Sequence, residues 1–190
     1  MATARVEARR AATRTAILEA AWALAREEGL GGIGMRELAG SLGMAASSLY
    51  GYFDGKDAIY DAMFIEGNRA LRERSLTLPT DLGTRDTLVA TARAFIEFCD
   101  EDHPRFQLLF QHSIPGWEPS PEAYASAVEN FEQMRRQLAQ LGITNDESID
   151  LWTALTSGLA SQQVANDPEG DRWLRLVEQA VDMYIGREKP

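Results

Sequence analysis

The feature that most constrains this chain is a break in helical periodicity between residues 34 and 56. Two short stretches with helical apolar spacing, about 35–42 and about 46–52, are separated by Gly43 and flanked by longer helical patterns at 9–28 and 56–76. Met35, Leu38 and Leu42 face inward from the first short stretch. Leu49 and Phe53, four apart, point back from the second. On the long leading stretch, Ile17, Ala20, Ala21 and Leu24 share a face, and Gly29, Gly31 and Gly32 end it. Two short helices joined by a glycine-containing turn and packed on a longer one make a helix-turn-helix unit.

The outward side chains of the second short helix are small, and aromatics follow them. Ala45, Ala46, Ser47 and Ser48 let a backbone come near base edges in a major groove; serine hydroxyls donate or accept, and alanine methyls can meet a thymine methyl. Tyr50 and Tyr52 fall on other faces, where a ring can lie along the sugar-phosphate wall while its hydroxyl reaches a phosphate oxygen. Lys56 adds a charge beside the free N–H groups that open the next helix.

The net charge of −10 argues against nucleic acid at first sight, but its distribution reverses the argument. Residues 1–60 carry seven Arg or Lys and seven Asp or Glu, whereas residues 61–190 carry twelve basic and twenty-two acidic side chains. Arg5, Arg9, Arg10 and Arg14 face a single Glu7 in the first sixteen positions; they read equally as a solvated arm and as phosphate contacts.

At this point the sequence resembles the TetR family of bacterial transcriptional regulators. The resemblance covers residues 13–64 and rests on "RELAGSLGM", on "SLYGYF" and on the Lys three residues beyond that Phe, in this order and spacing. It implies that Arg36, Ser47, Ser48, Tyr50, Tyr52 and Lys56 touch DNA; Ala46 joins them as a small groove-facing residue. It also implies a dimer whose C-terminal helices hold a small-molecule pocket. Two departures matter. Gly34 stands where the family often has Thr or Ser as a helix cap, and Ala45-Ala46 stands where it often has Ser-Lys. Glycine as a cap costs a few tenths of a kcal/mol and alanine about 1 kcal/mol. Direct base readout is therefore expected to be modest, with Arg36, the N-terminal arginines and DNA shape contributing more.

Strand signals are scarce, so the fold class is all-α: an N-terminal three-helix DNA-binding domain over 1–55 and a helical effector-binding and dimerisation domain over 56–190, about nine helices in all. Further helices are expected at 85–102 with Thr84 as cap, 104–112, 121–141 after Ser120-Pro121, 145–166 from a capping box at 144–147, and from Asp167-Pro168 to near Gly186.

Phe95, Phe98, Phe106, Phe110, Trp117 and Tyr124 cluster along three consecutive helices. Singly each reads as core; together with Cys99 and Trp152 they are expected to line a pocket for an apolar or aromatic effector. In the helix at 145–166, Ala154, Gly158, Ser161 and Ala165 form a small-residue stripe flanked by Leu155, and the last helix offers Trp173, Val177 and Tyr184. This hairpin is the expected homodimer interface. His103 and His112 lie nine apart with no companion, so no metal is expected, and no cofactor. One cysteine, no membrane-length apolar run and no secretory pattern fit a cytoplasmic protein.

The expected partners are a double-stranded DNA operator, a small-molecule effector and a second copy of the chain, and the expected function is a ligand-released repressor. The alternative is a helical module that turns the 44–53 surface toward a protein. An enzyme ranks lowest, because no phosphate loop, metal cluster or base-activated nucleophile is legible.

Overall fold

The computed structural model describes residues 2–79, 81–111 and 113–187, with side chains over 4–79, 81–111 and 113–186. Nine α-helices and two 3-10 turns are present among them, and no strand. The helices are α1 (Ala2–Glu28), α2 (Met35–Ser41), α3 (Ala46–Leu49), α4 (Lys56–Leu76), α5 (Thr84–Asp100), α6 (His103–Phe110), α7 (Pro121–Gln140), α8 (Asp146–Asn166) and α9 (Val177–Arg187). The chain divides into two compact units, Met1–Gly67 with Gln107–Ala125, and Asn68–Phe106 with Ser126–Pro190. Thr80 and His112 lie outside the described residues.

In the first unit the core gathers Ile17, Ala21 and Trp22 of α1, Leu38 of α2, Leu49 of α3 and Ile59, Tyr60, Met63 and Phe64 of α4. Trp117 packs there against the rings of Tyr60 and Phe64, with centroids 5.5 and 6.1 Å away. In the second unit α5 supplies Leu88, Ala92, Ile96 and Phe98, α8 supplies Ile149, Trp152 and Ala160, and α9 supplies Val177, Val181 and Tyr184. A polar seam links α4 to α7 in this unit: Asn130 Nδ2 donates to Asn68 Oδ1 at 2.9 Å, Arg72 pairs with Glu129, and Gln137 Nε2 donates to Ser75 Oγ at 3.1 Å.

Several helix ends differ from the sequence expectation. α1 begins at Ala2 rather than 9. Thr84 is the first residue of α5, and Gly83 is its N-cap without a side-chain bond. The cap of α8 is Asn145, whose Oδ1 accepts the Ser148 N–H at 2.7 Å, one residue beyond the anticipated Thr144. Ser120 does cap α7, accepting the Ala123 N–H at 3.2 Å. The last helix starts at Val177, not at Pro168. Asp167 spends its carboxylate on the Arg172 N–H at 2.9 Å and its carbonyl on the Gly170 N–H at 3.0 Å, while Glu169 takes φ 63°. These bonds fold 167–172 into a turn. Gln163, fully buried, holds that turn by donating to the carbonyls of Asp167 and Gly170 and accepting from the Trp173 N–H at 3.0 Å.

Candidate nucleic-acid interface

The first unit builds its exposed helix from several local devices. α1 ends because Gly29 takes φ 78°, and its N–H still reaches the Ala25 carbonyl at 2.9 Å. The turn that follows passes so close that a Cβ on Gly32 would lie 2.5 Å from Glu28 Cβ. From α4, Tyr60 Oη donates to the Leu30 carbonyl at 2.6 Å, and Lys56 Nζ donates to the Gly31 carbonyl at 3.2 Å while lying 5.2 Å over the Tyr60 ring.

α2 starts from Gly34, which lacks a capping side chain. The Glu37 carboxylate folds back instead, into the space a Cβ on Gly34 would fill. A side chain at position 34 would displace that carboxylate, so glycine makes room for it. At the other end Gly43 takes φ 64°, its N–H bonds Gly40 O at 3.1 Å, and the Met44 N–H bonds Ala39 O at 2.9 Å. That pair closes α2 as a Schellman motif and sets the turn between the two short helices.

α3 is one turn long and stops at Leu49, short of the expected 52. Ala45 provides no capping side chain, and the chain tightens at once: Gly51 N–H bonds Ser48 O at 3.1 Å and Tyr52 N–H bonds Leu49 O at 2.9 Å. Leu49 and Phe53 are buried and anchor the segment. Ala45, Ser47, Ser48 and Tyr50 are exposed, Ala46 and Tyr52 half-buried, and Arg36 is exposed on α2. Lys56 is half-buried, and one of its three N–H donors is engaged at Gly31.

Residues 17–63, which contain all of this geometry, match the family model for bacterial regulatory proteins of the tetR family. That segment, a quarter of the chain, is similar to the DNA-binding region of the TetR family. It is 32% identical over 136 residues to the HTH-type transcriptional repressor DrrR1 of Streptomyces coeruleorubidus, a match covering 70% of this chain and 46% of that one. The chain thus spans about half the length of that relative. In fold it is similar to a tetR-family transcriptional regulator from Streptomyces coelicolor, with TM-score 0.73, 21% identity and coverage of 91% and 78% of the two chains. It is also similar to the transcriptional regulator FadR from Bacillus subtilis solved in complex with stearoyl-CoA, with TM-score 0.67, 15% identity and coverage of 89% and 96%.

The remaining candidate residues are distributed unevenly. Of the expected pocket, Phe110, Trp117 and Tyr124 fall in the first unit, where Trp117 is buried and Phe110 and Tyr124 are 38% and 54% exposed. Phe95, Phe98, Cys99, Phe106 and Trp152 fall in the second; all are buried except half-buried Phe95. There the Arg105 guanidinium stacks 3.9 Å over Phe98, and Trp152 lies 5.4 Å from the Tyr184 ring. A shallow groove of about 390 Å³ opens elsewhere in that unit, lined by Arg72, Val128, Glu129, Glu132, Gln133 and Arg136 and by none of the expected pocket residues.

Of the expected dimer surface, Ala154, Gly158 and Ala165 are exposed, and Leu155, Ser161 and Trp173 half-buried. Val177 and Tyr184 are buried within the protomer. Val177 is fully buried, and Tyr184 donates its hydroxyl to the Ser148 carbonyl at 2.9 Å inside the unit, so both serve the protomer's own core. Among the described residues no group of three or more His, Cys, Asp or Glu is placed to hold a metal, and no helix is long and apolar enough to cross a membrane.

The sequence reading left Arg10 and Arg14 open between a solvated arm and phosphate contacts and did not anticipate that they bond within the chain. Arg10 Nη2 donates to the Gly51 carbonyl at 2.9 Å, and Arg14 donates to the Tyr52 carbonyl. Their guanidiniums lie 5.7 Å from the Tyr52 ring and 4.1 Å from the Phe53 ring. The available signal was spacing: positions 10, 14, 17 and 21 follow one helical stripe that ends in buried Ile17 and Ala21.

Proposed function

We propose that this chain is a dimeric, effector-responsive repressor that binds an operator duplex through Arg36, Ala46, Ser47, Ser48, Tyr50, Tyr52 and Lys56. The observation that carries the reading is the split of α3 and its following turn: Leu49 and Phe53 are anchored in the core while Ser47, Ser48 and Tyr50 stand in solvent. Small hydroxyls beside an exposed phenol suit close approach to a groove and a phosphate wall. The functional division proposed is 1–55 for DNA and 56–190 for effector and dimer.

Dimerisation is supported by the outer face of α8. No charged residue occurs from 151 to 166, and Ala154, Gly158 and Ala165 are exposed along one side. A Cβ on Gly158 would meet nothing of its own chain within 4 Å. Mid-helix glycine costs about 1 kcal/mol relative to alanine, so close approach by a partner helix gives it a reason. A symmetric pair presents two copies of α3 to half-sites about 34–36 Å apart. An apolar or aromatic effector held by the aromatic side chains of 56–190 would then release DNA by favouring another spacing, and DNA would weaken effector binding by the same factor.

The test is a gel shift of purified protein on the DNA flanking its own gene, with footprinting of the retarded band. Protection of a twofold-symmetric site supports the reading. Absence of any retarded band at low salt contradicts it.

A further inference from the structure

We infer that Arg10 and Arg14 are positioning residues that clamp the exit of α3, rather than members of a phosphate-binding arm. The inference rests on the proposed DNA-binding reading and assigns these two arginines a part in it. The turn just past α3 carries the carbonyls of Gly51 and Tyr52 outside any helix, and an arginine fork is well suited to bind such acceptors. α3 is only four residues long, has no side-chain cap at its start, and holds to the core through Leu49 alone. Arg10 and Arg14, one helical turn apart on α1, donate to the successive carbonyls of Gly51 and Tyr52.

The same two guanidiniums lie beside successive rings. Arg10 approaches Tyr52, and Arg14 stacks closely on Phe53, which is 3% exposed and anchors the segment. Each arginine therefore meets the segment twice, once at a carbonyl and once at a ring. A planar fork can do both together; a lysine ammonium on a flexible stem cannot reproduce the arrangement. Tyr50 and Tyr52 flank Gly51, whose conformational freedom would otherwise let both rings wander. The clamp holds the orientation of Tyr50 and Tyr52 before DNA arrives, which lowers the ordering cost of binding.

The test uses the full chain and the variant R10K/R14K, which keeps both charges and loses the stacked forks, beside R10Q/R14Q. Amide hydrogen exchange without DNA is read first. The clamp predicts about tenfold faster exchange in the 48–53 amides of both variants, with α4 and the second unit unchanged. Unchanged exchange over 48–53 overturns it. Binding to an operator duplex is read second. The clamp predicts that R10K/R14K loses about tenfold in affinity. Full wild-type affinity in R10K/R14K, with a salt slope shallower by about one per arginine only in R10Q/R14Q, is the signature of phosphate contacts and overturns it. If the wild-type chain binds no duplex at all, the functional reading falls, while the exchange experiment still decides the clamp.

Discussion

Leu49 and Tyr50 are adjacent in the chain and opposite in environment: Leu49 is fully buried, and Tyr50 is 54% exposed. One residue of helix thus serves the protomer's stability, and the next is free to serve something outside it. Substitution separates the two roles. Leu49→Ala should destabilise the fold by about 2–4 kcal/mol, in the range of large-to-small core changes. Tyr50→Ala should shift stability by less than about 0.5 kcal/mol and weaken duplex binding by about tenfold. Denaturant melts and anisotropy titrations of the two variants check both halves; a large stability loss in Tyr50→Ala would place that ring in the core.

Gly158 offers a test of the dimer. An arginine there adds a long charged side chain to an α8 face that carries no charge from 151 to 166. Gly158→Arg should convert a species of twice 21.1 kDa to one of 21.1 kDa in light scattering, with helix content retained. A wild-type chain already monomeric at micromolar concentration would remove α8 as an interface.

Asp182 should titrate below the ordinary carboxylate range. Arg85 Nε donates to its Oδ1 at 2.6 Å and Nη2 to its Oδ2 at 3.0 Å, and this bidentate pairing lowers its pKa. Folding that depresses a carboxyl stabilises the native state above the unfolded value. That contribution fades as the pH falls through the folded value, so the α5–α9 ion pair weakens only below about pH 3.9. Carboxyl NMR should report the depressed midpoint, and Arg85→Met should return it to the ordinary value.

Cys99 is fully buried, and burial pushes its thiol up to about 12. It should resist a thiol-specific disulfide reagent at pH 8 in the native protein and react at once after unfolding. Fast native labelling would mean that the second unit opens readily around α5.

The helix-turn-helix was legible because its signals are local. Gly43, the apolar spacing of Leu38, Leu42, Leu49 and Phe53, and the small side chains between them lie within sixteen residues. What escaped was non-local. The sequence "ATARVEARRAA" has too little apolar content to mark a helix start, so the first turns of α1 were invisible. Asp167-Pro168 has the look of a cap and first turn, but its carboxylate turns to a backbone N–H five residues ahead and makes a loop. Val177 and Tyr184 have helical spacing, which reveals an apolar stripe but not whether it faces the protomer's core or a partner. Arg10 and Arg14 bond to carbonyls 41 and 38 residues away, acceptors that leave no compositional trace.

The claim that α3 and its exit turn meet a duplex is tested most directly by measuring operator affinity against salt concentration for the wild-type chain. Phosphate contacts from two protomers should give a log–log slope steeper than about −3, a loss of roughly a hundredfold in affinity for a fivefold rise in salt. Binding that stays flat across that range, or no binding at low salt, would contradict the account.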